Sequence, residues 1–273
     1  MGRFRYGVCE WSVKTRGGEL CKMAAGQSLD CVQLGVGEET FCGKGLADPA
    51  TVEEYRRASE KYGVEIDSLC PQFVDQYSFT MAKSGEEEQI AAALCDRAIE
   101  LCTVFGCKSY LLPVLGKNGI EGGASFHRAV EYIKRLGDKA AERGIMTCLE
   151  INQSVDQVHN LLDAVDNPMV KIFFDSQNLY ALDGTSMARY FTALEDVIAG
   201  VHLKDGVGAM LSGSLLGEGT SGFYRTAKAI LDSRYEGSLI IESVYDKPTV
   251  CELGSEEALL ARDAATLHRV FEK

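Results

Sequence analysis

The chain predicts an α/β fold, a single (β/α)8 barrel covering residues 1–273. Three observations carry that reading. Strand-like and helix-like segments alternate about eight times, with no linker, low-complexity tract or composition break. Regular β-then-α alternation requires a parallel sheet with helical crossovers. The length of 273 residues suits a closed eightfold barrel, which takes about 250. Finally, four successive strands end in ionisable side chains, as strands feeding a catalytic mouth do. A doubly wound open sheet is the alternative that shares the alternation.

Residues 4–9 read as the first strand, followed by a Gly-containing turn and an apolar-periodic segment near 18–29. Residues 31–35 form the second strand. Asp48-Pro49 opens a helix, because Asp suits an N-cap and Pro the first helical position. That helix stops near Gly63. Residues 64–69 are the third strand, and a long helix runs from near Ser84 to about Gly106. Glu86, Glu87 and Glu88 lie in its first turns, where the helix dipole favours them.

The rhythm repeats in the second half. Strands fall at 108–113, 145–150, 170–175, 200–204 and 238–242. Helices fall at 123–144, 154–165, 185–195 and 223–232, and a last one starts near Ser255.

Net charge is −12, with 46% hydrophobic and 25% charged residues. That is an ordinary soluble composition. The negative surface repels a phosphate backbone and argues against nucleic acid as partner. The ten Cys contain no C-x-x-C. Several, such as Cys9, Cys31 and Cys148, sit in apolar runs, as reduced buried thiols of a cytoplasmic protein do. The first residues lack an apolar signal core, and no stretch is long enough to cross a membrane.

Glu150, Asp175, His202 and Glu242 close four consecutive strands, separated by 25, 27 and 40 residues. Each of the first two spacings is near one βα unit. Counting back by two places Cys148, Phe173, Gly200 and Ile240 on the same inward face. Three carboxylates and one imidazole form an oxygen-rich set. It suits one Mn²⁺, Mg²⁺ or Co²⁺ with open positions, with Zn²⁺ also open. Taken singly, each acid reads equally as a helix cap or an ion-pair partner.

The motifs Cys148-Leu149-Glu150-Ile151-Asn152, Phe174-Asp175-Ser176-Gln177-Asn178 and Val201-His202-Leu203-Lys204-Asp205 carry a family resemblance, with Leu216-Gly217-Glu218-Gly219 and Ile241-Glu242-Ser243. Together they resemble the xylose isomerase-like TIM barrels, a group of sugar-phosphate isomerases and epimerases, ketose 3-epimerases and inosose dehydratases. The resemblance implies that Glu150, Asp175, His202 and Glu242 bind one divalent metal. It also implies that Glu150 and Glu242 serve as acid and base. A ligating carboxylate keeps one oxygen free to take a proton, and a metal on the carbonyl acidifies the adjacent C–H. The implied function is sugar isomerisation or epimerisation through an enediolate, on a small carbohydrate. Loss of a β-hydroxyl instead would make a dehydratase of an inosose or shikimate-type ketone.

The chain departs from the ketose-epimerase pattern at three places. Asn178 stands where a substrate-touching His is common. Gly206-Val207-Gly208-Ala209 lacks the Arg usual beyond the seventh-strand His. Thr220-Ser221-Gly222-Phe223 lacks an acid usual after Gly-Glu-Gly.

Trp11, Asn152, Asn178, Lys204 and Glu218 are the candidate substrate contacts. Trp11 reads as a sugar-stacking wall or as core. Lys204 reads as a substrate contact or as an ion-pair partner of Glu242 or Asp205. Glu218 lines the mouth or fixes its loop.

Gly217–Gly222 fits G-x-G-x-x-G but lies some twelve residues past its strand, so it is no dinucleotide fingerprint. A phosphorylated substrate stays open, because late barrel loops bind phosphate. An abasic-site endonuclease needs more than the four His present and a basic groove. A non-catalytic sugar-binding relative would show a broken ligand set. A homo-oligomer is left open.

Overall fold

The computed structural model of the chain describes residues 2–80 and 85–272. Eight parallel strands follow one another in sequence order around a closed barrel. The first half of the chain supplies β1 (Phe4–Cys9), α1 (Gly18–Gly26), β2 (Cys31–Val36), α2 (Pro49–Tyr62), β3 (Glu65–Pro71), α3 (Gly85–Phe105), β4 (Ser109–Val114) and α4 (Gly123–Ala141). The second half begins with β5 (Met146–Ile151), α5 (Val155–Val165), β6 (Val170–Asp175), α6 (Asn178–Asp183) and α7 (Met187–Leu194). It ends with β7 (Ile198–Leu203), α8 (Phe223–Asp232), β8 (Gly237–Ile241), α9 (Pro248–Cys251) and α10 (Glu256–Phe271). The closed topology excludes the open doubly wound sheet.

Local chemistry sets the helix ends. Asp48 Oδ1 accepts from Ala50 N–H at 3.0 Å, and Pro49 follows it into α2. Gly63 ends that helix at φ +68°, where a side chain would be strained. Ser154 and Gln157 form a reciprocal capping box at α5, which satisfies two amides the helix leaves free. Ser255 Oγ accepts from Ala258 N–H at α10. The expected start of the long helix at Ser84 lies outside the described residues; α3 is described from Gly85.

Among the described residues two short α-helices are additional to the expected set, α6 and the four-residue α9 that opens on Pro248. α6 has six residues, too few to show an amphipathic period, so its signal is its cap. Asp175 Oδ1 accepts from Gln177 N–H at 2.8 Å and from Asn178 N–H at 2.6 Å. The carboxylate that ends β6 therefore starts α6.

By density of packing the chain forms two compact units: residues 1–33, 54–65 and 174–273, and residues 34–53 and 66–173. In the first, Phe174 packs outward on α7, edge-on to Phe191 at 5.0 Å and stacked with Tyr190 at 6.4 Å. The alternation of a strand then turns Phe173 and Asp175 the other way. In the second, Phe79 stacks on Tyr132 of α4 with centroids 4.1 Å apart, and Leu94, Ile99 and Tyr110 are fully buried. Eight of the ten Cys are buried and free, as expected. Cys42 and Cys251 are exposed. No helix among the described residues is long and apolar enough to cross a membrane.

Candidate active site

β7 carries His202 near its end, with no exposed surface. Ser176 fixes the next residue. Its Oγ donates to Lys204 C=O and accepts from Lys204 N–H, both at 2.8 Å. This clamp holds the Lys204 backbone and aims its side chain at two acids. Lys204 Nζ lies 2.6 Å from Glu242 Oε2 and 3.0 Å from Asp175 Oδ2. The ion-pair reading of Lys204 with Glu242 is therefore realised, and Asp175 takes the second place. Asp175 divides its oxygens: Oδ1 caps α6 and Oδ2 faces Lys204. The cap reading and the ion-pair reading of that residue both hold.

Glu242 follows β8. Trp11 Nε1 donates to its Oε1 at 2.9 Å, and His202 Nδ1 lies 3.4 Å from its Oε2. Trp11 is half-buried and edge-on to the His202 ring at 6.0 Å, so it positions Glu242 and is not core. Burial pushes the Glu242 carboxyl up, but His202, Lys204 and the hydrogen bonds from Lys204 and Trp11 outweigh burial and hold it at about 2. It is an anion at any physiological pH. For Asp175, burial prevails over the lowering by Lys204 and raises the carboxyl above its usual range.

Asp175, His202 and Glu242 each offer one ligand atom, and these atoms lie within 4.8 Å of one another; Glu150 stands at the end of β5. Of the four, Glu150, Asp175 and His202 are buried. The donor set fits a divalent cation on chemical grounds. Hard carboxylate oxygens dominate, and His202 Nδ1 is the nitrogen that faces Glu242.

Two residues beside His202 escaped the sequence reading. Gln33, on β2 and fully buried, lies with Oε1 2.6 Å from His202 Nε2. Cys9, expected only as a buried thiol, donates to the same oxygen at 3.4 Å. The signal for Gln33 is a polar side chain inside the otherwise apolar run Cys31–Val36.

The other candidates fall as follows. Asn152 follows β5, and among the described residues nothing pairs with its buried Oδ1. Asn178 is buried as the first residue of α6. Glu218 is exposed and accepts from Arg262 at 2.8 Å, the loop-fixing reading.

The loop's main anchor is Asp205, which sequence reasoning treated only as a neighbour of Lys204. Its Oδ1 accepts from Gly206 N–H at 2.8 Å and Ser221 Oγ at 2.7 Å; its Oδ2 accepts from Gly217 and Gly219 N–H at 3.1 and 3.0 Å. A Cβ at residue 219 would sit 2.3 Å from Asp205 Oδ1, so only Gly permits this approach. The amides of Gly217 and Gly219 thus already donate to a side chain of the protein itself.

Comparison with known proteins agrees with this architecture. The family model described as xylose isomerase-like TIM barrel matches residues 22–269. A 2-epi-5-epi-valiolone 7-phosphate 2-epimerase of an Actinoplanes species is 27% identical over 247 residues, which is 88% of this chain and 87% of that protein. Among solved structures, D-psicose 3-epimerase in the presence of D-fructose superposes with a TM-score of 0.76 at 13% identity, covering 98% of this chain and 100% of that one. The 3-keto-D-glucoside 4-epimerase of E. coli gives 0.73 at 15%, covering 96% and 99%. At such identities the structural likeness speaks for the fold alone. The family match over nearly the whole chain, on a closed eight-stranded barrel, makes this protein a member of the xylose isomerase-like TIM-barrel family.

Proposed function

We propose that this protein is a divalent-metal-dependent sugar epimerase or isomerase that moves a proton next to a ketone. It is an enzyme of the isomerase class, and its substrate is a small carbohydrate or carbocyclic polyol. The single observation that carries the reading is the clustering of ligand atoms from Asp175, His202 and Glu242, to which the family resemblance adds Glu150 as the fourth. The epimerase relatives named above support it.

In this reading those four side chains hold the metal. A bound divalent ion would polarise the substrate carbonyl and make the adjacent C–H acidic. Glu150 and Glu242 are the proton-transfer pair. One removes the proton to give an enediolate, and the other returns a proton to the opposite face or to the neighbouring carbon. Trp11 and Lys204 fix both oxygens of Glu242, so its free lone pairs keep one direction. Lys204 supplies a positive charge beside the developing enediolate oxygen. Asn152 and Asn178 supply uncharged hydrogen-bonding groups for substrate hydroxyls.

The test is proton exchange. The Mn²⁺-loaded protein is incubated in D₂O with ketoses, inososes and their phosphates, and each is followed by NMR. Deuterium entering a carbon beside the carbonyl, with a new sugar formed, is the expected result. E150Q and E242Q should each cut exchange by at least about 100-fold. Full exchange in both variants overturns the acid–base assignment. Loss of a hydroxyl without epimer formation moves the chemistry to dehydration.

A further inference from the structure

We infer that Gln33 is a positioning residue. It fixes His202 as the Nε2–H tautomer and thereby presents the Nδ1 lone pair to the carboxylate cluster. The inference rests on the metal-site reading for its functional meaning, but its geometry stands on β1, β2, β7 and the residue that follows β8.

A neutral imidazole has one donor nitrogen and one acceptor nitrogen, and its surroundings choose between them. His202 is fully buried, so water does not choose. Gln33 Oε1 lies 2.6 Å from Nε2. An amide oxygen only accepts, so Nε2 must carry the proton. Cys9 Sγ lies 3.4 Å from both Gln33 Oε1 and His202 Nε2; a protonated Nε2 cannot accept from the thiol, so the S–H turns to Oε1 and gives that oxygen a second donor.

The opposite arrangement would turn the Gln33 NH₂ onto Nε2 and place the ring proton on Nδ1. That proton would then point at Glu242 Oε2. The separation there is 3.4 Å, longer than the roughly 2.7–2.9 Å of a charge-assisted N–H···O bond. Nδ1 is therefore the nitrogen left for a cation, and Gln33 decides it from 169 residues away in sequence. A neutral amide has a further consequence. It orients the ring without adding a negative charge to a site that already holds three carboxylates.

Two measurements test the assignment. The first uses wild-type protein: ¹⁵N NMR of the His202 ring in the metal-free state, above the ring's titration. The expected pattern is a protonated Nε2 and a bare Nδ1. A protonated Nδ1 with a bare Nε2 overturns the proposal.

The second measures Mn²⁺ affinity by calorimetry for wild type, Q33L and Q33E, with circular dichroism to verify folding. Q33L should bind Mn²⁺ about 10–100-fold more weakly. Q33E, which keeps an acceptor facing Nε2, should stay within a few-fold of wild type. A folded Q33L with affinity within twofold of wild type overturns the proposal. If wild type shows the Nε2–H tautomer yet binds no Mn²⁺, the tautomer lock stands and the metal-site reading is what fails.

Discussion

Replacing Lys204 by Met removes one charge and almost no volume, so its effect isolates the ammonium. Lys204 Nζ sits 2.6 Å from Glu242 Oε2 and 3.0 Å from Asp175 Oδ2, with 8% of its side chain exposed. Removing one partner of a buried ion pair costs about 3–5 kcal/mol, because the remaining charge stays desolvated and uncompensated. For a chain of this length about 1 kcal/mol corresponds to roughly 2 °C in melting temperature. Metal-free K204M should therefore melt about 6–10 °C below wild type at pH 7.5.

The sign with pH follows from linkage. Without the ammonium, the folded-state carboxyls of Asp175 and Glu242 titrate higher than in wild type. A group whose folded pKa rises is relatively more stabilising at low pH. The gap between the proteins should thus narrow between pH 8 and pH 5. Added Mn²⁺ should narrow it too, since binding to the folded state alone adds stability and a cation no longer competes with Lys204 for the same oxygens. Calorimetric melts at three pH values, with and without Mn²⁺, read all of this. A K204M protein that melts within 1 °C of wild type, or a gap that widens as pH falls, refutes the electrostatic reasoning.

Three other expectations follow from named contacts. D205A leaves the Gly217, Gly219 and Ser221 amides without their carboxylate; their hydrogen exchange should accelerate at least about 100-fold, and unchanged protection would show that the loop holds itself. Burial pushes Asp263 up to about 6, against hydrogen bonds from Ser243, Leu216 and Tyr245. Because its folded pKa exceeds the unfolded value, its contribution is fully present below about pH 4 and is lost as pH rises through 6. That loss comes to about 1.4 kcal/mol between pH 5 and 8, so urea titrations of D263N should lack that share of the slope. E218Q removes a half-exposed ion pair with Arg262; stability should change by no more than about 0.5 kcal/mol with turnover intact, and a large loss of turnover would return Glu218 to the substrate site.

The one-dimensional pattern determined the barrel, because a parallel barrel is built from local periodicities that a sequence carries openly. β1, β6 and α8 fall on the expected residues, and the other expected elements that lie within the described residues agree to within a few residues at their ends. The four strand-end ionisable residues were legible for the same reason: each closes an apolar strand, and the first two spacings are near one βα unit. Pairings across the barrel were decided by tertiary structure alone. Lys204 pairs with Asp175 and Glu242 rather than with its neighbour Asp205, because consecutive side chains of an extended chain point to opposite sides and Asp205 turns to its own loop. Trp11 and Gln33 reach Glu242 and His202 from 231 and 169 residues away. No spacing rule encodes such contacts. A buried hydrogen bond depends on where folded elements place two polar atoms, and closure of the sheet is what sets those places.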